Sequence, residues 1–351
     1  MRALVVGDDD ARGLLAAVRS LGANGWHVGV VTPSRRSLAA SSRWCSAWHP
    51  LGADVVASVG AVSASYDVVL PGGDAEVSAL SERRDEVGCV VPYGSRESVR
   101  CVLDKVSLSS AAVSAGLSVP RTFEADDVSG TVVVKSRSHV AGRVPTVVTD
   151  DPAAVRTAVA SARAAGAEPV VQECVSGPLL ALSVVLWDGE VVAAVQQRSS
   201  GLWPPGAGIS TRAETVRVDS SLQERVAALL RSIGWAGLAQ AQFLERADGP
   251  VLIDVNGRCY GSLALAAAAG VDLAAVWASA ALGLPYVAGP AVPGVRYQWL
   301  YGDVRRSWRE SRSVLPAAAY ARGAAHSVWD RRDPRPGVAY GASLARLAAA
   351  R

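Results

Sequence analysis

The stretch LIDVNGR, residues 252–258, places a carboxylate, an amide and a guanidinium within five positions. In a β-strand, side chains alternate between the two faces, so Asp254 and Asn256 share one face. Two oxygen donors on one face suit Mg²⁺, which takes a few protein oxygens together with waters and nucleotide phosphates. Asp and Asn also begin turns frequently. The stretch alone therefore leaves a metal site and a turn as alternatives.

Gln242 lies on the strand that precedes this stretch, across a hairpin with Asp248-Gly249 as its turn signal. A tight two-residue turn there would pair Gln242 with Val255 and point it to the wrong face. A loop one residue longer, or a bulge, would pair Gln242 with Asp254 instead. We expect the longer loop. The predicted metal ligands are Gln242, Asp254 and Asn256.

Only two lysines occur among the 35 cationic side chains, Lys105 and Lys135. Lysine is a compact ammonium on a flexible stem, whereas arginine is a planar fork, and a phosphate oxygen beside a strand end can require the compact charge. The stretch VVVKS (132–136) predicts a buried strand that ends near Lys135. Lys105 falls near the middle of one predicted helix, which begins after Ser95 and ends before Gly116. Both lysines are therefore candidate phosphate ligands.

The beginning of the chain predicts a β-α-β unit with a parallel, doubly wound sheet, from ALVVGDDD (3–10) through HVGVVTP (27–33). No G-x-G-x-x-G follows the first strand, which argues against a nicotinamide-dependent dehydrogenase. Val134 precedes Lys135 where a Walker loop needs Gly, so that motif is also excluded. Hairpins and helices follow, including one hairpin with its turn at Asp188-Gly189. The predicted fold class is α/β plus α+β.

Composition narrows the classes of function. The 351 residues are half hydrophobic with a net charge of +3, which fits a globular protein of two or three domains. Basic residues occur in pairs rather than runs, so we expect no nucleic-acid partner. We also expect no membrane span and no signal peptide, because no apolar stretch is long enough. The five scattered cysteines fit reduced thiols in a cytoplasmic protein.

The order of these pieces resembles the ATP-grasp superfamily over roughly residues 95–285. The pieces are a helix lysine, a strand-end lysine, VVQECVSGP (170–178), a Gly-rich loop and Q-F…I-D-V-N-G-R. The leading unit resembles the Rossmann-like domain that usually precedes this fold. The resemblance implies a pre-ATP-grasp α/β domain (1–94), an ATP-grasp domain of two subdomains with the nucleotide between them (95–288), and a C-terminal extension packing on the core (289–351).

The resemblance also assigns roles to residues. Lys105 and Lys135 would hold the phosphates of ATP, with His139 nearby as either a phosphate contact or a plain loop histidine. Arg258 would either hold the γ-phosphate or a carboxylate as charge moves to the leaving group, or form a surface salt bridge. The predicted catalytic residues are Arg258, Lys135 and Arg198. Arg198 and Arg212 flank the loop WPPGAGIS (203–210), either as carboxylate anchors or as solvated arginines. The metal is Mg²⁺, with Mn²⁺ as an alternative. The hinge residues that would meet the adenine are Gln172, Glu173, Cys174 and Val175.

Two positions depart from the usual pattern. Many members carry an acid where Gln242 stands, although carbamoyl phosphate synthetases are similar in having Gln. Ligases such as D-alanine–D-alanine ligase place a ribose-binding Glu just after the SGP turn, where this chain has Leu179 and Leu180. The ribose contact is therefore expected to come from elsewhere.

The implied activity is an ADP-forming carboxylate–amine ligase that makes an amide or peptide bond through an acyl phosphate. Its partners would be small carboxylates and amines, including amino acids, and a homodimer is one option. The alternatives are a carbamate- or bicarbonate-activating enzyme and a nucleotide-binding module without catalysis.

Overall fold

The computed structural model describes residues 1–138, 140, 144–206 and 208–341. The first unit is a parallel sheet with the strands β1 (Arg2–Val6), β2 (His27–Thr32), β3 (Cys45–Pro50) and β4 (Val68–Pro71), in the order β3-β2-β1-β4. Its helices are α1 (Arg12–Ala23), α2 (Val55–Ser63) and α3 (Asp74–Glu82). The valine- and leucine-rich runs of β1 and β4 are buried, as parallel strands covered on both faces require. The predicted β-α-β opening is confirmed.

Two helices, α4 (Arg96–Leu103) and α5 (Lys105–Ser114), stand where we predicted one. The prediction of a single helix is wrong because Asp104 leaves the helical conformation, with φ −106° and ψ 112°. Its carboxylate accepts the N–H groups of Val106 and Ser107 at 3.0 and 2.8 Å and so caps α5. Lys105 is therefore the first residue of α5 and not a mid-helix residue.

A small antiparallel sheet follows. Its strands are β5 (Thr122–Phe123), β6 (Val132–Ser136), β7 (Val147–Thr149) and β8 (Pro169–Glu173), in the order β5-β8-β6-β7, with helix α6 (Pro152–Ala164). Val132 and Val134 pack with Val155 and Val159 of α6. Because side chains alternate along β6, Lys135 lies on the face turned away from that helix.

The large sheet has the strands β9 (Leu179–Trp187), β10 (Glu190–Trp203), β11 (Ile209–Val216), β12 (Gly237–Arg246), β13 (Gly249–Asn256), β14 (Arg296–Gln298) and β15 (Ala325–His326), in the order β13-β12-β9-β10-β11-β14-β15. Its helices are α7 (Ser220–Ser232), α8 (Leu263–Ala268), α9 (Leu273–Ala281), α10 (Leu300–Ser311) and α11 (Leu315–Ala321). The predicted turn at Asp188-Gly189 is confirmed, since Trp187 pairs with Glu190. Within the described residues, no helix has both the length and the apolar content to cross a bilayer.

The C-terminal segment joins both units. Its strands β14 and β15 extend the large sheet beyond β11, so the proposed extension shares that sheet. The chain then returns to the first unit, where the buried carboxylate of Asp333 accepts hydrogen bonds from the Ser42 hydroxyl, the Arg43 N–H and the Arg19 guanidinium at 2.7, 2.8 and 2.9 Å. The segment therefore fixes the first unit to the large sheet. The exact division into domains stays our proposal.

Candidate active site

The register of β12 and β13 brings the predicted metal ligands together. Gln242 pairs with Asp254, as predicted. The longer loop that we expected is wrong, because Arg246 pairs with Gly249 and leaves a two-residue turn at Ala247 and Asp248. The register shift next to Gln242 makes Ile253 an extra residue, so a bulge restores the pairing. Gln242, Asp254 and Asn256 therefore lie on one face.

Both lysines converge on this face. Lys105 Nζ, at the start of α5, lies 3.7 Å from Asp254 Oδ1. The Lys105 N–H donates to the Arg137 carbonyl just after β6, which ties α5 to the small sheet. The pKa of Lys135 is lowered to about 8, mainly by burial and further by the charge of Lys105, while the carboxylate of Asp254 opposes the shift. Two cations thus share one carboxylate, and this excess of positive charge suits an anion.

A chain of hydrogen bonds runs from Gln242 away from β13. Gln242 Nε2 donates to Gln240 Oε1 at 3.3 Å, Gln240 Nε2 donates to Ser262 Oγ at 3.5 Å, and the Ser262 hydroxyl donates to Gln197 Oε1 at 3.1 Å. Gln240, Gln197 and Ser262 are all buried. Because the Gln242 amide nitrogen is taken by Gln240, its oxygen remains the end that can serve a metal ion.

Arg258 links the metal strand to the first unit. Its Nε donates to Asp74 Oδ1 at 2.6 Å, and its Nη2 donates to Asn256 Oδ1 at 3.0 Å. Asp74 is the first residue of α3, which follows β4. The guanidinium therefore stands beside a predicted metal ligand, where the sequence placed it, and is held by the neighbouring unit.

The predicted hinge connects the small sheet to the large sheet. The segment 174–178 lies between β8 of the small sheet and β9 of the large sheet. Gln172 is buried and lies on the same face of the small sheet as Lys135. Gln172 pairs with Val133, and Val133 and Lys135, two residues apart in β6, share a face. The N–H groups of Glu173 and Cys174 already donate to the carbonyls of Arg121 and Thr131. The groups left for an adenine edge are therefore carbonyl oxygens and the N–H of Val175.

A small cavity opens beside this hinge. It is lined by Lys105, Leu108, Ser109, Pro120, Gln172, Leu252 and Ile253. Our sequence reasoning named Lys105 and Gln172 but missed the apolar members. Ile253 enters the wall because it is the bulged residue.

The structure does not bring Arg198 to this group. Gln197 and Gln242 both pair with Ala181, whereas Arg198 and Phe243 both pair with Leu180, so Arg198 points to the opposite face. There it forms a two-pronged ion pair with Glu245 at 2.8 Å. Strand alternation and an internal acid both take Arg198 away from the cluster, so the structure gives its predicted catalytic role no support.

Arg212 also falls outside the cluster. Arg212 is bound to the buried carboxylate of Asp303 at 2.8 Å and to the Pro316 carbonyl at 2.7 Å, so it is not open to a substrate carboxylate. Leu179 and Leu180 are buried core residues and supply no ribose contact. His139 lies outside the described residues.

The donor set fits a metal that arrives with phosphates. In the described part of the chain, no three His, Cys, Asp or Glu side chains gather as a possible metal site. The candidate ligands are instead one carboxylate and two amide oxygens, next to cationic Lys105 and Arg258. Mg²⁺ tolerates few protein ligands when phosphate oxygens complete its shell. The residues present therefore fit Mg²⁺ bound together with a nucleotide.

Comparison with solved structures gives the same fold. N5-carboxyaminoimidazole synthetase from Staphylococcus aureus in complex with ADP has a TM-score of 0.64 at 14% identity, over 82% of this chain and 78% of that chain. L-amino acid ligase from Bacillus licheniformis has a TM-score of 0.61 at 15% identity, over 80% and 74%. Biotin carboxylase from Campylobacter jejuni has 0.64 at 15% identity, over 84% and 74%. No curated protein sequence matches the chain.

The fold of the chain is the ATP-grasp fold, as the similar solved structures show. Residues 166–302 match the family described as "ATP-grasp in the biosynthetic pathway with Ter operon". The predicted fold, a Rossmann-like unit followed by an ATP-grasp fold, is confirmed.

Proposed function

We propose that the chain is an ATP-dependent, ADP-forming carboxylate–amine ligase, which makes an amide or peptide bond through an acyl phosphate. The convergence of Lys105 and Lys135 on Asp254 is the observation that supports this most. Two cations beside the strand that carries the candidate metal ligands would suit the phosphates of a nucleotide. The likeness to an L-amino acid ligase supports an amine as the second substrate.

The proposed reaction has two steps. A substrate carboxylate oxygen attacks the γ-phosphorus of ATP, the bond from that phosphorus to the bridging oxygen breaks, and ADP leaves with the electron pair. The amine nitrogen then attacks the acyl carbon, the carbon–oxygen bond to phosphate breaks, and phosphate leaves with that electron pair. The proton lost by the amine passes to water. No covalent bond to the protein forms in either step.

The chain's own residues position reactants and neutralise charge, as phosphoryl transfer requires. Lys105 and Lys135 would hold phosphate oxygens by charge-assisted hydrogen bonds. Arg258, held by Asp74, would face the charge that develops on the transferred group. When bound, Mg²⁺ would neutralise phosphate charge, and the residues that would hold it are Gln242, Asp254 and Asn256.

Bicarbonate activation is the second candidate reaction. The similar structures include biotin carboxylase and a 2-oxoglutarate carboxylase domain in complex with MgADP and bicarbonate. Bicarbonate is itself a small carboxylate that can attack the γ-phosphorus, so the same residues would serve it. In that reaction the chain would not have to select an amine substrate.

ADP release from ATP and Mg²⁺ tests the proposal. The panel contains amino acids and small carboxylic acids, alone and in pairs, together with bicarbonate alone. ADP that appears only with particular carboxylate–amine pairs supports the ligase, and a Lys135→Ala variant should lose that turnover. ADP with bicarbonate alone would favour the second candidate. ATP binding without ADP from any combination would count against the ligase and favour a binding module.

A further inference from the structure

Arg12, the first residue of α1, holds its guanidinium at the junction of the first unit and the loop after the metal strand. The guanidinium carbon stacks 4.1 Å from the ring centroid of Trp299. Its Nη1 donates to the Tyr297 hydroxyl at 3.1 Å. A side chain at Gly261 would place its first carbon 3.0 Å from Arg12 Nη2, so Gly261 leaves room for the guanidinium. These contacts fix the orientation of Arg12.

Arg12 lacks the acidic partner that the three arginines named from the sequence have. Arg258 is paired with Asp74, Arg198 with Glu245 and Arg212 with Asp303. Within residues 1–138, 140, 144–206 and 208–341, Arg12 forms no ion pair, and one of its five donors bonds to a protein acceptor. A half-buried guanidinium without a counter-ion gains most from an anion that uses its planar fork, and a carboxylate matches that fork.

The position of Arg12 suits a substrate rather than a structural anion. In open α/β sheets, ligands bind at the carboxyl ends of the strands where the strand order reverses, which here is between β1 and β4. Cys259 N–H donates to the Pro71 carbonyl at the end of β4 at 3.1 Å. The helix turn at Gly13 packs directly on the carbonyl of Cys259. The loop that carries Arg258 is thereby inserted into this crevice, next to Arg12.

We propose that Arg12 binds the carboxylate of an amino-acid substrate, whose own amine is the group that attacks the acyl phosphate. The inference rests on the proposed ligase function and adds the class of its second substrate. Arg258 would then serve the reacting phosphate, while Arg12 holds the carboxylate that does not react. The two roles differ because Arg258 is paired with Asp74, whereas Arg12 has no acidic partner among the described residues.

The test compares L-amino acids with their carboxamides as ligands in the presence of MgADP. The readout is the thermal unfolding midpoint of the wild type, Arg12→Gln and Arg305→Gln. Arg305 is the matched control because it also stacks on aromatic rings, Trp203 and Tyr301, but is exposed. We expect at least one amino acid to stabilise the wild type and Arg305→Gln more than its carboxamide does. Arg12→Gln should lose that difference and keep its response to MgADP.

Two outcomes would overturn the proposal: no amino acid distinguished from its carboxamide by the wild type, or a difference that survives in Arg12→Gln. Should Arg12→Gln fail to fold, Arg12→Lys decides, since it keeps the charge but loses the fork. We expect its half-saturating amino-acid concentration to rise at least about tenfold, the cost of one charge-assisted hydrogen bond, and an unchanged value would overturn the proposal.

ADP release separates this inference from the proposed function. If the carboxylate of an amino acid is recognised through Arg12 but no pair yields ADP, the ligase proposal fails and the binding site stands. If pairs yield ADP and the amino acid and its carboxamide serve equally well, the ligase stands and the role of Arg12 is refuted.

Discussion

The Lys105 ammonium lies 3.7 Å from the carboxylate of Asp254, which joins the first residue of α5 to the metal strand β13. The two residues are far apart in the chain, and neither packs in a hydrophobic core. Burial lowers the pKa of Lys135, which lies on a third element, β6, and the charge of Asp254 opposes that shift. Three elements, α5, β6 and β13, thus contribute one charged side chain each to the same place.

Removing either lysine should weaken nucleotide binding. A charge-assisted hydrogen bond contributes about 1.5–3 kcal/mol, so Lys105→Met and Lys135→Met should each raise the dissociation constant for ATP roughly 10- to 100-fold. Isothermal titration with ATP and Mg²⁺ measures this. Arg156→Met, on the exposed side of α6, is the control and should bind like the wild type. Wild-type affinity in both lysine variants would refute the assignment of the phosphate site.

Nucleotide affinity should fall as the pH rises above about 8. The pKa of Lys135 is lowered to about 8 in the free protein, so its ammonium is present below that pH and lost above it. An anionic phosphate binds the protonated form of Lys135 and raises its pKa in the complex. Affinity should therefore be constant below about pH 8 and decline above it, until the pH exceeds the pKa of Lys135 in the complex. ADP titrations between pH 6 and 10 measure the decline.

Lys135→Arg provides the comparison for this pH dependence, since arginine stays charged throughout the range. A variant that binds ADP should show a flatter profile than the wild type. Identical profiles for the two proteins would mean that some other group titrates.

The hydrogen-bond chain from Gln242 through Gln240 to Ser262 should determine how much Mg²⁺ is needed for ADP binding. Gln240→Met keeps the length of the side chain but removes the acceptor that orients the Gln242 amide. Loss of a residue that orients a metal ligand typically weakens metal binding about 10- to 100-fold. We therefore expect ADP binding by this variant to need about tenfold more Mg²⁺, as measured by a Mg²⁺ titration at fixed ADP.

Ser262→Ala removes the next bond in the same chain, so its effect should be in the same direction and smaller. Ser279→Ala, a buried serine of α9, is the control. If Gln240→Met binds ADP with the wild-type dependence on Mg²⁺, the network does not position Gln242.

Asp333 should be essential for holding the C-terminal segment on the first unit. Its side chain is 1% exposed and accepts three hydrogen bonds, one of them from the 12% exposed Arg19. Asp333→Asn leaves Arg19 without its counter-ion, and such a loss costs about 3–5 kcal/mol of unfolding free energy. Chemical denaturation measures it. Asp85→Asn, whose side chain is 87% exposed, should change the unfolding free energy little, and equal effects of the two variants would refute the role.

Gly13 should tolerate no larger residue. A Cβ there would collide with the carbonyl oxygens of Cys259 and Tyr260, which belong to the loop between β13 and α8. Because backbone cannot move aside cheaply, Gly13→Ala should cost about 1–3 kcal/mol of unfolding free energy or separate α1 from that loop. Gly52→Ala is the control, since its nearest neighbour would be 3.5 Å away. Equal melting temperatures of Gly13→Ala and the wild type would contradict the packing.

Local patterns predicted much of the fold. Alternation along β13 put Asp254 and Asn256 on one face, and the turn at Asp188-Gly189 needed only its own two residues. Two predictions were wrong because another interaction outweighed the local pattern. Asp104 broke a helix because its carboxylate capped α5, while the Lys105 N–H found the Arg137 carbonyl. A bulge at Ile253, rather than a longer loop, set the pairing of Gln242.

Residue types and their order along the chain predicted the ATP-grasp fold, the shared face of Asp254 and Asn256, and the two lysines as candidate phosphate ligands, because periodicity and rare residue types can be read from the sequence alone. Which arginines remain open to a ligand was decided only by the tertiary structure. Arg198 and Arg212 look equivalent to Arg12 in sequence, yet Glu245 and Asp303 reach the first two from other elements and no described acid pairs with the third. Charge pairing depends on distances of a few ångströms in space, and the chain order does not specify those distances.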